Sequence, residues 1–375
     1  MLFSFANINP DILKFQVKML RILLIMLLSA ICACQPLKAA DDPVGKDKNF
    51  DPGSFIFDHI GDSYEWHLFN IDGKHYSVPL PVILYSREKG LNVFLSNKFY
   101  HGNAAYRGFR IESEGPHQGK IVIALEDGST DPDANLPINL SMTKIVCGML
   151  FASILILAIF LSIGRSYRKK PLSPPKGLQG LIEPIILFVI DDIVRPAIGD
   201  KKHERFLPYL LTLFFFIWIN NMLGLIPIFP MGANVTGNIS ITAGLALTSF
   251  LAVNLSGNRH YWKHMFNTPN VPVFLKLPIP IMPIIEMIGA ITKPFVLMIR
   301  LFANITAGHI ITMGFFSLIF ILAEVSTAFG YGAIILSVGF GIFITFLELL
   351  VALIQAYVFT LLTALFIGAA VEEPH

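Results

Sequence analysis

Seven charged, imidazole or carboxamide side chains lie inside two apolar stretches of the sequence, residues 277–323 and 331–370. They are Glu286, Lys293, Arg300, Asn304, His309, Glu348 and Gln355. Placing a charge at the centre of a bilayer costs at least ~2.5–3.5 kcal/mol, so ionisable groups inside membrane spans usually line an ion path or pair with one another. These residue types therefore predict proton or ion translocation.

The first stretch predicts one long helix with a polar stripe. In an α-helix Glu286, Lys293 and Asn304 fall within about 40° of Arg300, whereas His309 falls on the opposite side. The alternative is two spans that meet at Arg300, with its side chain among the headgroups. The segment "VLMIRLFANI" contains no Gly, Pro or Asp cluster to form a hairpin, which favours the single helix.

The second stretch predicts a helix antiparallel to the first, on which Glu348 and Gln355 share a face. If Gln355 lies level with Arg300, His309 reaches the depth of about residue 346, close to Glu348. Glu286 lies about 21 Å from Arg300 in the other direction. Two sets of ionisable groups at different depths are the pattern expected of two offset half-channels.

Arginine suits the position between the two sets because its guanidinium does not lose its proton in proteins. A permanent positive charge repels a passing cation and forces a facing carboxylate to ionise. Glu286 and Glu348 are too far from Arg300 in depth to be that carboxylate. The sequence therefore predicts a partner subunit that supplies it.

The composition places these stretches in a membrane. Hydrophobic residues make up 54% of the chain and charged residues 14%, the mean hydropathy is +0.63, and soluble proteins have about a quarter of their residues charged. The net charge of +2 is too small to indicate nucleic-acid binding. We therefore expect an all-α polytopic membrane protein with about five transmembrane helices, one interfacial amphipathic helix, and a last pair that is long, tilted and antiparallel.

The N-terminal part is predicted to lie outside the cytoplasm. Residues 1–40 resemble a signal peptide, with basic residues before a short apolar run and small residues after it; a retained anchor helix is the alternative. Residues 41–140 predict a small α+β or β-rich domain. Its histidines lack the close spacing of metal ligands, so we expect neither a metal nor another cofactor.

The basic segments set the expected orientation. A first span over residues 143–164 runs into "RSYRKK", which the positive-inside rule places in the cytoplasm. Residues 177–206 carry polar residues at spacings typical of an amphipathic helix on the cytoplasmic surface, with a tilted crossing as the alternative. A hairpin then leads to the basic segment "NRHYWKH" on the same side. The C-terminus is expected in the cytoplasm.

These segments resemble a known family. "PFVLMIRLFANITAGHII", followed by "LIQAYVFTLLTALFIG", is similar to subunit a of the F-type ATP synthase, and "WINNMLGLIPIF" and "ANVTGNISITAGLAL" are similar to the hairpin that precedes them in that family. The resemblance covers residues 143–370. It implies a non-catalytic stator subunit of the bacterial inner membrane, without a nucleotide site, that couples proton flow to rotation and ATP synthesis.

The resemblance also implies partners and roles. The partners are a ring of c subunits with mid-membrane carboxylates, subunit b of the peripheral stalk, and the lipid bilayer. Arg300 would be the stator arginine, with Asn304 and Gln355 as its polar neighbours. Glu286 would be the acid of the cytoplasmic exit, and His309 and Glu348 would occupy the inlet on the outer side.

One departure and several alternatives accompany the resemblance. Some family members carry the acid nine residues after the arginine and the histidine on the last helix, whereas here His309 and Glu348 are exchanged. A sodium-translocating motor is the nearest alternative, and a membrane receptor or a secondary transporter is a more distant one. The domain of residues 41–140 has no counterpart in the minimal family pattern, so it is either an outer cap or a lineage-specific extension.

Overall fold

The computed structural model describes residues 52–71, 74–100, 104–112, 119–125, 135–169, 174–226, 230–266 and 281–372, together with residues 102, 117, 130 and 228. The predicted signal peptide of residues 1–40 lies outside these residues.

The N-terminal domain combines one helix with short antiparallel strands. Its elements are α1 (Pro52–Ile60), β1 (Glu65–Ile71), β2 (Lys74–Pro79), β3 (Pro81–Ser86), β4 (Gly90–Leu95), β5 (Phe109–Ile111), β6 (Ile121–Ile123) and β7 (Ile138–Asn139). The strands form three small sheets, in the orders β1–β2, β4–β3–β7 and β5–β6. Because successive strand residues point to opposite faces, β3 buries Val82 and Leu84 in a core with Phe99 and Phe109.

A buried aspartate joins this domain to the first long helix, α2 (Lys144–Lys169). The Asp62 carboxylate accepts hydrogen bonds from the backbone N–H of Ser63, at 3.0 Å, and of Ile145, at 3.1 Å. The second bond satisfies a donor at the helix N-terminus, where negative groups are favoured. Burial raises the pKa of Asp62 above its ordinary value of 3.8, and the hydrogen bonds and the Lys144 charge oppose that rise.

Replacing Asp62 with Asn should remove the part of the pH dependence of stability that this carboxyl group causes. A carboxyl group whose pKa is raised in the fold stabilises the protein when protonated, and this contribution is lost as pH rises from about 4 through the folded pKa. The Asp62→Asn variant keeps the acceptor oxygen without the ionisation. Its melting temperature relative to the unmodified protein should therefore increase with pH across that window, measured in detergent.

A difference in melting temperature between Asp62→Asn and the unmodified protein that stays flat with pH would show that Asp62 does not titrate with folding.

Five described helices are long and apolar enough to cross a membrane. They are α2 and, in chain order, α5 (His203–Gly224), α6 (Ile239–Ser256), α8 (Ile281–Val325) and α9 (Thr327–Val371). Between α6 and α8 lies the short helix α7 (Arg259–Phe266). The number of spans agrees with the prediction, although α2 extends past the predicted end at residue 164.

The predicted amphipathic helix over residues 177–206 is interrupted. It consists of α3 (Leu178–Phe188), a π-helical turn (Val189–Val194) and α4 (Arg195–Ile198), and it ends at Gly199, whose φ of 91° favours glycine. Ile186 and Ile193 face the protein core, whereas Asp191 is exposed and pairs with Arg195 at 2.6 Å. The backbone stays helical without a gap from residue 178 to residue 198, a length close to the ~20 residues of a membrane span. The surface helix and the tilted crossing therefore both stay predictions.

Helices α8 and α9 form an antiparallel hairpin of two 45-residue helices. Only Ser326 separates them, and its hydroxyl accepts a hydrogen bond from the backbone N–H of Ala328 at the start of α9. The prediction of a single helix through Arg300 is confirmed. The interpretation with two short spans and Arg300 in a loop is wrong, because the backbone stays helical from Ile281 to Val325.

Hydrogen bonds gather the basic segments at one end of the helices. Lys202, just before α5, donates to the carbonyl oxygen of Val371 at 2.7 Å. The backbone N–H of Asn258, between α6 and α7, donates to the carbonyl oxygen of Ala370 at 3.0 Å. The N-terminal domain lies at the other end, where the backbone N–H of Lys144 donates to Ser63 at 2.9 Å.

Candidate ion-translocation site

His309 and Glu348 meet across the α8–α9 hairpin. The Nδ1 atom of His309 lies 3.4 Å from Oε1 of Glu348, and the two side chains are only 14% and 13% exposed. Between this contact and the turn at Ser326, the rings of Phe315 and Phe340 are stacked with centroids 5.0 Å apart, in the same antiparallel register. The predicted contact between the histidine and the carboxylate is confirmed.

Small residues leave room for this pair. Thr312 donates a hydrogen bond to Oε1 of Glu348 at 3.4 Å. A Cβ atom on Gly308 would lie 2.5 Å from the same oxygen, and one on Gly224, at the end of α5, would lie 4.0 Å from Nε2 of His309. Gly308 is therefore a position where any side chain would displace the carboxylate.

A cluster of buried amides and hydroxyls lies at the same end of the helices. Thr236 donates to Oδ1 of Asn221, and Nδ2 of Asn221 donates to the carbonyl oxygen of Ala352 on α9 at 3.4 Å. Two atoms of the cluster, Oδ1 of Asn220 and Nδ2 of Asn234, are buried without a hydrogen-bond partner among the described residues. Buried polar atoms of this kind are where proteins hold ordered water.

The four residues of this cluster are Asn220, Asn221, Asn234 and Thr236, and none of them is among the site residues predicted from the sequence. The signal was present in "WINNM", because adjacent asparagines inside an apolar helix are costly unless they bind a partner. Their position beside α9 depends on how α5 packs, which one sequence does not reveal.

Arg300 lies further along α8, toward the basic end, and is partly buried. No hydrogen bond or ion pair joins its guanidinium to any residue in the described part of the chain. The His309–Glu348 and Phe315–Phe340 contacts define which residues of α8 and α9 lie opposite each other. Continued toward the basic end, the same antiparallel register puts Arg300 level with Gln355 and its near neighbours on α9. Gln355 is buried at 6% exposure, whereas Asn304 is exposed on the surface of α8.

The other two members of the predicted stripe lie closer to the basic end. Lys293 is exposed, and its amino group lies 5.1 Å from the centre of the Phe366 ring. Glu286 is half-buried near the start of α8. Burial raises the pKa of Tyr261 on α7, and the Glu286 charge adds a smaller rise. The structure thus brings His309 and Glu348 together and keeps Glu286 apart from them.

The histidines of the N-terminal domain form no metal site in the part of the chain that the structure describes, where no group of three His, Cys, Asp or Glu side chains could hold an ion. His101 lies outside the described residues.

Two family models match the chain. Residues 146–368 match the family described as ATP synthase A chain, and residues 55–143 match a domain of unknown function (DUF8433). The first match covers more than half of the sequence and includes every residue of the predicted site. The second covers most of the N-terminal domain.

Three relatives agree with the first match. ATP synthase subunit a 2 of Chlorobaculum tepidum is 43% identical over 238 residues, which are 62% of this chain and 64% of the relative. ATP synthase subunit a of Chloroherpeton thalassium is 42% identical over 63% of this chain and 69% of its own length. ATP synthase subunit a of Myxococcus xanthus is 39% identical over 68% and 79%. The family model covers more than half of the chain and these relatives are about 40% identical to it, so the chain, with its His309–Glu348 contact on a pair of 45-residue helices, belongs to the ATP synthase subunit a family.

Proposed function

We propose that this chain is the stator subunit of a proton-driven F-type ATP synthase and provides two offset half-channels that load and unload the carboxylates of a c-ring. The observation that carries the proposal is Arg300, a partly buried guanidinium in an apolar helix with no partner among the described residues. A charge inside a membrane needs a counter-charge or water. A carboxylate on the surface of a rotating partner meets that need transiently.

The outer half-channel would run through His309 and Glu348. An imidazole in contact with a carboxylate can accept a proton on one nitrogen and release it from the other. The neighbouring cluster of Asn221 and Thr236, with the unpartnered polar atoms of Asn220 and Asn234, supports a water path to the pair. Protons from outside would reach the ring carboxylate through this route.

The cytoplasmic half-channel would end at Glu286. Fourteen residues of helix separate it from Arg300, which corresponds to about 21 Å at the rise of an α-helix. Glu286 is half-buried near the start of α8, toward the basic end of the helices. A proton released from the ring on that side would leave through this carboxylate.

Arg300 would keep the two paths apart. Its positive charge repels protons moving along either water path and stabilises the ionised form of the ring carboxylate that faces it. Asn304 and Gln355 would hydrogen-bond the guanidinium or its transient partner. Because no acid among the described residues pairs with Arg300, the carboxylate would come from another subunit.

The proposed setting is the bacterial inner membrane, with the c-ring and the subunit b stalk as protein partners. Residues 1–40 would be a signal peptide, residues 41–140 an extracytoplasmic extension and residues 143–370 the membrane domain. The basic segments beside α4, α5 and α7 support a cytoplasmic position for their end of the bundle, together with the C-terminus. The N-terminal domain at the opposite end would then face outward.

The choice between protons and sodium ions is testable in inverted membrane vesicles. With ATP in sodium-free buffer, we expect acidification of the vesicle interior, because the proposed outer path passes the His309–Glu348 contact, whose imidazole can relay a proton. A protonophore should abolish the signal. Sodium uptake that persists with the protonophore, together with pumping that requires sodium, would establish the sodium motor instead.

A further inference from the structure

Helix α7 has two chemically different faces. Tyr261 and Met265 point toward the protein: Met265 is buried, and the Tyr261 hydroxyl donates to Oδ1 of Asn254 on α6 at 3.4 Å. The opposite face carries four exposed side chains at the spacing of one helical surface. They are Arg259, Trp262, Lys263 and Phe266.

The two aromatic rings of the exposed face form a flat apolar surface. The rings of Trp262 and Phe266 are stacked, with centroids 6.2 Å apart and planes at 15°. Their side chains are 39% and 62% exposed. A large exposed apolar surface bordered by charges is typical of sites that bind membranes or proteins.

The position of α7 relative to the spans favours the membrane. The helix starts two residues after α6 ends, and Asn258 fixes its start by accepting from the backbone N–H of Tyr261 at 2.7 Å and donating to the carbonyl oxygen of Glu372 at 2.5 Å. Helices α6 and α9 thus end at the level where α7 begins. A helix at the ends of two membrane spans lies in the headgroup region, where tryptophan is enriched.

The charges of α7 favour an anionic surface. The helix, "RHYWKHMF", contains an arginine, a lysine and two histidines and has no acidic residue. Basic residues next to a membrane are attracted to anionic phospholipids, and aromatic residues on the same face enter the boundary between headgroups and acyl chains.

We propose that α7 is an interfacial anchor that inserts Trp262 and Phe266 among the lipids of one leaflet and binds anionic phospholipid headgroups through Arg259 and Lys263. The anchor is independent of the proton path. It would fix the cytoplasmic end of α6 and the start of α8 relative to the bilayer surface.

Fluorescence quenching by brominated lipids tests the insertion. The full chain is reconstituted into vesicles, and quenching is compared between the unmodified protein and Trp262→Phe, because the chain has three tryptophans and the difference isolates one of them. Lipids brominated near the headgroup should quench Trp262 several-fold more than lipids brominated near the chain end. The soluble quencher acrylamide should quench it weakly.

A second quenching experiment tests the preference for anionic headgroups. At equal mole fraction, brominated phosphatidylglycerol should quench Trp262 more than brominated phosphatidylcholine, and the double variant Arg259→Glu, Lys263→Glu should lose that excess. Arg87→Glu, a charge reversal at an exposed site of the N-terminal domain, is the matched control and should retain it.

Three results would overturn the anchor. Strong acrylamide quenching without lipid quenching would place Trp262 in water. Protection from both quenchers would mean that protein covers this face. Equal quenching by the two headgroups in the unmodified protein would refute the anionic site, even if insertion were observed.

Discussion

ATP-driven proton pumping should fall to background in vesicles that contain the Arg300→Ala protein, although the subunit should still insert and assemble. The guanidinium has no hydrogen-bond or ion-pair partner among the described residues, so its removal leaves no group of this chain unpaired. What is lost is the positive charge that separates the two water paths. The measurement is quenching of a pH-sensitive dye after ATP addition, with subunit content determined by immunoblot.

Arg300→Lys tests the reason for the residue type. A lysine in a low-dielectric site can release its proton, whereas arginine stays charged. We therefore expect pumping to fail in Arg300→Lys too, despite the positive charge that a lysine carries in water. Arg205→Ala, which removes an exposed arginine near the basic end, should pump normally. Normal pumping by the Arg300→Ala protein would contradict the proposed role.

Exchanging the two residues of the inlet pair should restore function that either single exchange removes. His309→Glu alone places a second carboxylate where the imidazole now lies 3.4 Å from Glu348, and the mutual repulsion of two carboxylates in one site favours protonation of one of them. Glu348→His alone leaves two imidazoles and no acid. Each single variant should lose roughly a hundredfold in proton flux, the usual scale for removing a general acid or base.

The double variant His309→Glu, Glu348→His recreates an imidazole–carboxylate contact with the partners reversed. Because Gly308 and Gly224 leave space beside both side chains, the pair should fit in either arrangement, and flux should recover at least about tenfold over the single variants. The assay is passive proton conductance of vesicles stripped of the catalytic sector. If the double variant conducts protons no faster than the single variants, a histidine and a glutamate at the same depth are not sufficient to form the inlet.

The long helices could be predicted although they contain isolated prolines and glycines, such as Pro294 in α8. An apolar run that is not broken by a cluster of turn residues forms a helix in a bilayer, because its backbone groups must be satisfied internally, and helical rise then determines which residues share a depth. For this reason the His309–Glu348 contact could be expected from two positions on separate helices. The same arithmetic indicated that no acid of this chain adjoins Arg300.

Other features depend on packing that one sequence does not display. The π-helical turn Val189–Val194 has no proline or glycine within it. Pro196, two residues later, cannot donate to the carbonyl of residue 192, which signals a disturbed helix but not a π-helical turn in particular. The Asn221 contact with α9 requires the approach of α5 to a particular turn of α9. Asp62 at the start of α2 is separated from Ile145 by 83 positions in the chain, a distance at which residue patterns say nothing.

The length of the α8–α9 hairpin has a consequence for direction. Forty-five helical residues extend about 68 Å, more than twice the ~30 Å thickness of the hydrocarbon layer, whereas the 22 residues of α5 extend about 33 Å. To stay within the layer over such a length, a helix must lie as a shallow ramp. In the proposed motor, sites at its two ends would then be displaced sideways around the circumference of the ring, so a proton bound at one could not reach the other by moving vertically. The slope of the ramp would convert a difference in height into a sense of rotation.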